Sequence, residues 1–163
     1  MLPQFKKILY CTDLSKNAEY ACRYAIALAR QNEADIYVLH VAEMPSPDAL
    51  ITLETYIKDF GGRKQFVKQR LEETRKMLGE RLKAFIDGLP DAEKPKADHI
   101  RSINVLESHP VDEILEQSKK LGVDLIVMGT HRKGVAHTFL GSVSKRVMSN
   151  TRIPVLVVPL PGE

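Results

Sequence analysis

Hydrophobic positions along the chain fall into two kinds of pattern. Four short runs are almost continuously apolar: Ile8–Cys11, Ile36–Val41, Leu125–Met128 and Pro154–Val158. Each is too short for a stable helix and is bounded by charge, Gly or Pro, so each predicts a buried strand of a parallel sheet. A fifth run, Ile100–Leu106, sets Ile100, Ser102 and Asn104 on one face against Arg101, Ile103 and Val105, which predicts a half-exposed edge strand.

Between these runs the period lengthens to that of a helix. Ala21, Ala25, Leu28 and Ala29 mark a helix from Asn17 to Gln31, capped by Asp13 or Ser15, and its many alanines imply close packing on a sheet. Phe66, Leu71, Leu78, Leu82 and Phe85 stripe a long charged helix from Arg63 to Asp87, whose remaining face is solvated. Pro110 suits a first helical position, Asp112 and Glu113 complement the dipole, and Gly122 suits the exit. Ile114, Leu115, Ser118 and Leu121 should face inward there. A fourth helix follows from Gly141 to Asn150, with Ser142 as a candidate N-cap. From residue 43 to 62 the period dissolves among Pro45, Pro47, Gly61 and Gly62. We expect an irregular lid or partner-contact loop there, with Ala49–Tyr56 as a short helical candidate. Five strands alternating with four helices predict the α/β class: one domain over residues 1–163, its parallel sheet covered on both faces.

Composition narrows the function classes. A chain of 163 residues can bury a core without staples. The net charge of +3 comes from interspersed acids and bases, which argues against a nucleic-acid groove. The absence of Trp argues likewise against base-stacking platforms. No apolar run approaches the roughly 20 residues of a membrane span, and Met1–Ser15 lacks the apolar segment of a secretion signal. A reducing cytoplasm is expected, with Cys11 and Cys22 as small buried hydrophobes rather than a disulfide.

The stretch from Asp124 to Val158 carries the candidate chemistry. Strand, Gly-containing basic loop, helix and strand form one crossover, and its loop lies at the carboxyl end of a strand. Open α/β sheets bind ligands there, and a helix N-terminus offers amides and a positive dipole end to a phosphate. His131, Arg132 and Lys133 add positive charge. No Walker A motif or G-x-S-x-G elbow is present, and His40, His99, His109 and His137 show no metal-ligand spacing. No catalytic residue is assigned. Any hydrolysis of a bound phosphate ligand is expected to be slow at most, because no residue can be named to position an attacking water.

Taken together, several segments resemble the universal stress protein family. They are Ile8-Leu9-Tyr10-x-Thr12-Asp13-x-Ser15, Leu39-His40-Val41, His109-Pro110, Asp124 to His131, Gly141-Ser142-Val143-Ser144 and Pro154 to Pro159. The resemblance covers essentially the whole chain. It implies a five-stranded parallel sheet in the order 3-2-1-4-5, and homodimers paired through the last strand, Pro154 to Val158. It also implies ATP or a related adenine nucleotide, with or without Mg²⁺, at the switch point of the sheet. Asp13 and backbone near Val41 would then hold the nucleoside, and Gly129, Gly141, Ser142 and Val143 the phosphates, with Thr12, Met128, His131, Arg132 and Ser144 completing the nucleotide site. One departure stands out from the family pattern G-x-x-G-x9-G-[ST]. Arg132 replaces the second Gly and Gly141 arrives one residue early, with Gly134 as a partial substitute. The alternative is a dimeric family member that binds no nucleotide and acts through protein contacts.

Overall fold

A computed structural model of the chain describes residues 1–56, 62–96, 98–130 and 140–161. Five strands, β1 (Lys7–Cys11), β2 (Asp35–Glu43), β3 (Ile100–Ser108), β4 (Leu125–Gly129) and β5 (Val155–Val158), pair in parallel in the order β3-β2-β1-β4-β5. The sheet order and class are those expected. Helices α1 (Lys16–Asn32), α2 (Pro47–Tyr56), α3 (Arg63–Asp87), α4 (Pro110–Leu121) and α5 (Ser142–Asn150) make the connections. The chain leaves β1 in one direction to reach β2 and later returns on the other side to form β4, so β1 stands at the switch point.

The continuous apolar runs are explained by a core on both faces. Side chains of a strand alternate between faces, so Ile8 and Tyr10 of β1 point one way while Leu9 and Cys11 point the other. The first pair joins Ala21, Ala25 and Ile26 of α1 and Leu78 and Leu82 of α3. The second joins Val111 and Ile114 of α4, Met128 and Val147. Ala21, Ala25 and Ala29 are fully buried, which lets α1 lie close on the sheet. At the far end of the sheet, the Asp124 carboxylate accepts from the Lys6 and Lys7 amides at 2.7 and 2.9 Å and pins the start of β4 against β1.

Two expectations need correction. Residues 43–62 are not irregular throughout: β2 runs on to Glu43, and Pro47–Tyr56 is helical. Ser46 supplies the start signal, its carbonyl and hydroxyl accepting from Leu50 and Ala49, with Pro47 at the first helical position. None of the residues of α2 is buried, so no inward stripe marked it in the sequence. The other correction is at α5, where Gly141 rather than Ser142 is the N-cap and, among the described residues, no side chain caps the helix. Residues 57–61 lie outside those described. Among the described residues no helix is long and apolar enough to cross a membrane.

Cys11 and Cys22 are free and buried on opposite faces of the sheet, so they cannot pair without refolding. Burial pushes both thiols up to about 12. At pH 8 only about one molecule in ten thousand would carry a thiolate at either site. Ellman's reagent should therefore titrate neither thiol in the native protein and both in denaturant; rapid labelling of the native protein would contradict this packing.

Candidate functional site

The carboxyl ends of β1, β2 and β4 enclose a cavity of about 620 Å³, within the usual range for small-ligand pockets. Leu39, Val41, Ile114, Met128 and Val143 give it apolar walls. Its polar rim is built by the turn after β1 (Thr12, Asp13, Ser15) and by the start of α5 (Gly141, Ser142, Ser144). Of the sequence-predicted positions, Thr12, Asp13, Val41, Met128, Gly129, Gly141, Ser142, Val143 and Ser144 all line this one cavity. His131 and Arg132, with Lys133 and Gly134, lie outside the described residues.

The turn after β1 is closed by its own polar side chains. Thr12 Oγ1 accepts from the Leu14 amide at 3.0 Å, and Asp13 Oδ1 accepts from the Ser15 amide at 2.9 Å. Ser15, not Asp13, caps α1, its hydroxyl accepting from Ala18 at 3.2 Å. Leu14 sits at φ 66°, a left-handed conformation that costs a non-glycine residue about 1–2 kcal/mol. Its side chain offsets part of this by packing, half-buried, against the core between α1 and α3, on the wall of a small groove it shares with Cys22, Leu82 and Phe85. Thr12 itself is fully engaged: the amide donates to Leu39 O, the hydroxyl holds Leu14, and the carbonyl accepts from His40 Nδ1 at 2.8 Å. Thr12 therefore shapes the rim, and the exposed Asp13 is what the turn presents.

On the opposite rim, Gly141 adopts φ −61°, and among the described residues no side chain caps the first-turn amides of α5. Uncapped amides at a helix start suit an anion. Gly129 has a different reason to be glycine. A Cβ there would stand 2.8 Å from both the carbonyl carbon and oxygen of Asn17, so its absence lets α1 cross the end of β4. Asn17, which the sequence reading passed over as an ordinary helix residue, is buried and donates from Nδ2 to the Thr130 carbonyl at 2.6 Å. Pro110, Ile114, Leu39 and His40 were also unassigned and line the cavity. No group of three or more potential metal ligands occurs among the described residues.

Comparison with known proteins agrees with this geometry. Residues 4–159 match the sequence model of the universal stress protein family. Universal stress protein MJ0531 of Methanocaldococcus jannaschii is 32% identical over 165 residues, spanning 96% of this chain and 84% of that protein. The solved structure of MJ0577, from the same archaeon, superposes with a TM-score of 0.71 at 28% identity, covering 99% of this chain and 100% of its own. A universal stress protein solved in complex with cAMP shares the fold at 18% identity, with a TM-score of 0.58 over 96% of this chain and 98% of its own.

The crowding at Gly129 makes a prediction independent of any ligand. Gly129→Ala forces α1 and β4 apart and should destabilise the protein by about 1–3 kcal/mol, the usual range for overpacking. For a domain of this size the melting midpoint should fall by several degrees. An unchanged midpoint would mean that the contact relaxes freely.

Proposed function

The chain belongs to the universal stress protein family, and from that membership we propose that it is a regulatory module binding an adenine nucleotide in the cavity at the ends of β1, β2 and β4. The observation that carries the reading is convergence. A carboxylate-bearing turn, an apolar wall and an uncapped helix start, drawn from opposite ends of the sequence, face one volume of nucleotide size. Leu39, Val41, Ile114 and Met128 suit the flat face of a base. Asp13 suits ribose hydroxyls, which donate to a carboxylate. The amides of Ser142, Val143 and Ser144 suit phosphate oxygens, with or without Mg²⁺. That a protein of the same fold was solved with cAMP supports an adenine nucleotide as the ligand class.

The role proposed is binding, with at most slow hydrolysis, since no residue is assigned to position an attacking water. Homodimerisation through β5 is part of the proposal, since Val155, Leu156 and Val157 lie on an edge strand and stay half-buried. Two buried free thiols fit a reducing cytoplasm. A second reading, protein contact without nucleotide, draws on α2, which buries none of its residues and exposes Ile51 and Tyr56.

Thermal melts separate the two readings. Ligand at a hundredfold excess over Kd adds about 2.7 kcal/mol to native stability. For a domain of this size that should raise the midpoint by about 5–10 °C with ATP and Mg²⁺. Asp13→Asn keeps an acceptor for the Ser15 amide but removes the charge, and should lose most of the shift relative to its own ligand-free midpoint. No shift with ATP, ADP or AMP in nucleotide-free protein would overturn the nucleotide reading and favour the second.

A further inference from the structure

β1 ends before β2 does, and how it ends decides what β2 offers to the cavity. The last backbone bond between the two runs from the Thr12 N–H to the Leu39 carbonyl, at 2.9 Å. Main-chain groups alternate sides along a strand, so Val41, two residues on, turns its N–H and C=O to the same side as Leu39. In a continuing parallel ladder the Thr12 carbonyl would accept from that Val41 N–H. Here the carbonyl is taken by a side chain instead, His40 Nδ1, at 2.8 Å. A carbonyl oxygen brings no proton, so the proton of this bond is on Nδ1 and the neutral ring is the Nδ1–H tautomer.

We infer that His40 is a positioning residue: by occupying the Thr12 carbonyl it keeps the Val41 main chain open to the cavity. Val41 then presents one donor and one acceptor past the end of β1, a pair that suits a base edge carrying an acceptor beside a donor, as adenine does at N1 and its 6-amino group. The same bond braces the turn that carries Asp13 and the left-handed Leu14. Without the imidazole, the Thr12 oxygen is free to swing onto the Val41 N–H and close that edge. The inference rests on the nucleotide reading and adds the residue that keeps its base-binding edge available.

The test is titration calorimetry of ATP–Mg²⁺ and AMP into nucleotide-free wild type, His40→Ala and His40→Asn. The Asn amide nitrogen stands close to where Nδ1 stands and can still donate to the Thr12 oxygen. His40→Ala should weaken both ligands about tenfold, the weight of one well-made hydrogen bond, and His40→Asn should stay within about twofold of wild type. Amide exchange followed by NMR on ligand-free protein gives a second readout. The Val41 N–H should exchange faster than its β2 ladder neighbours in wild type and slow in His40→Ala. Wild-type affinity in His40→Ala, equal losses in both variants, or a Val41 amide protected in ligand-free wild type would each overturn the role of His40 alone. Failure of the wild type to bind either nucleotide would instead overturn the nucleotide reading, and this inference with it.

Discussion

The site depends on how closely α1 lies on the end of the sheet. Gly129 meets the backbone of Asn17 with no room for a Cβ, and Asn17 in turn holds the Thr130 carbonyl. Three fully buried alanines continue that close approach along the helix. The consequence is geometric. A helix that starts so near β4 forces the chain to leave β1 in a turn of only a few residues, and that turn is the one presenting Asp13. A bulkier residue at position 129 would lift the helix and loosen the rim together, so packing and site geometry are one constraint.

The tight turn carries a conformational cost that its neighbours offset. Leu14 in the left-handed region costs about 1–2 kcal/mol, and the packing of its half-buried side chain against the core offsets part of that. Glycine would relieve the backbone but surrender the contact with the α1–α3 groove. Polar groups of Thr12, Asp13 and Ser15 close the remaining backbone donors, and His40 closes the Thr12 carbonyl. A rim fixed this way does not need the ligand to order it, which lowers the entropy lost on binding.

How much of this was legible in the sequence follows from which residues touch what. The strands could be read because a sheet covered on both faces makes its runs continuously apolar, and α1, α3 and α4 because each buries a stripe. α2 buries nothing and so has no stripe to show; Ala49–Tyr56 was legible only as a short helical candidate, and its start at Ser46-Pro47 was missed. Nine of the positions named from the sequence line one cavity, because a switch point between β1 and β4 gathers the turns that follow those strands. What the sequence hid were long-range reasons. Gly129 was assigned to the phosphate site, yet its crowded neighbour is a helix more than a hundred positions away. Asn17 and His40 looked ordinary because their partners are backbone carbonyls, which no residue pattern displays.

The departure from the family's glycine pattern bears unequally on the two ends of the proposed ligand. Arg132 and the early Gly141 belong to the segment joining β4 to α5, which in the nucleotide reading addresses phosphates. The base and ribose would be met by Val41, Met128, Ile114 and Asp13, whose placement comes from β1, β2, β4 and α4. Those elements are fixed by the core and owe nothing to the length of the loop. Changes in loop length are tolerated cheaply where the loop's ends are held by packed elements, as Gly129 and Val147 are here. In the nucleotide reading, the nucleoside half of the site would therefore be set by the sheet rather than by the length of the loop.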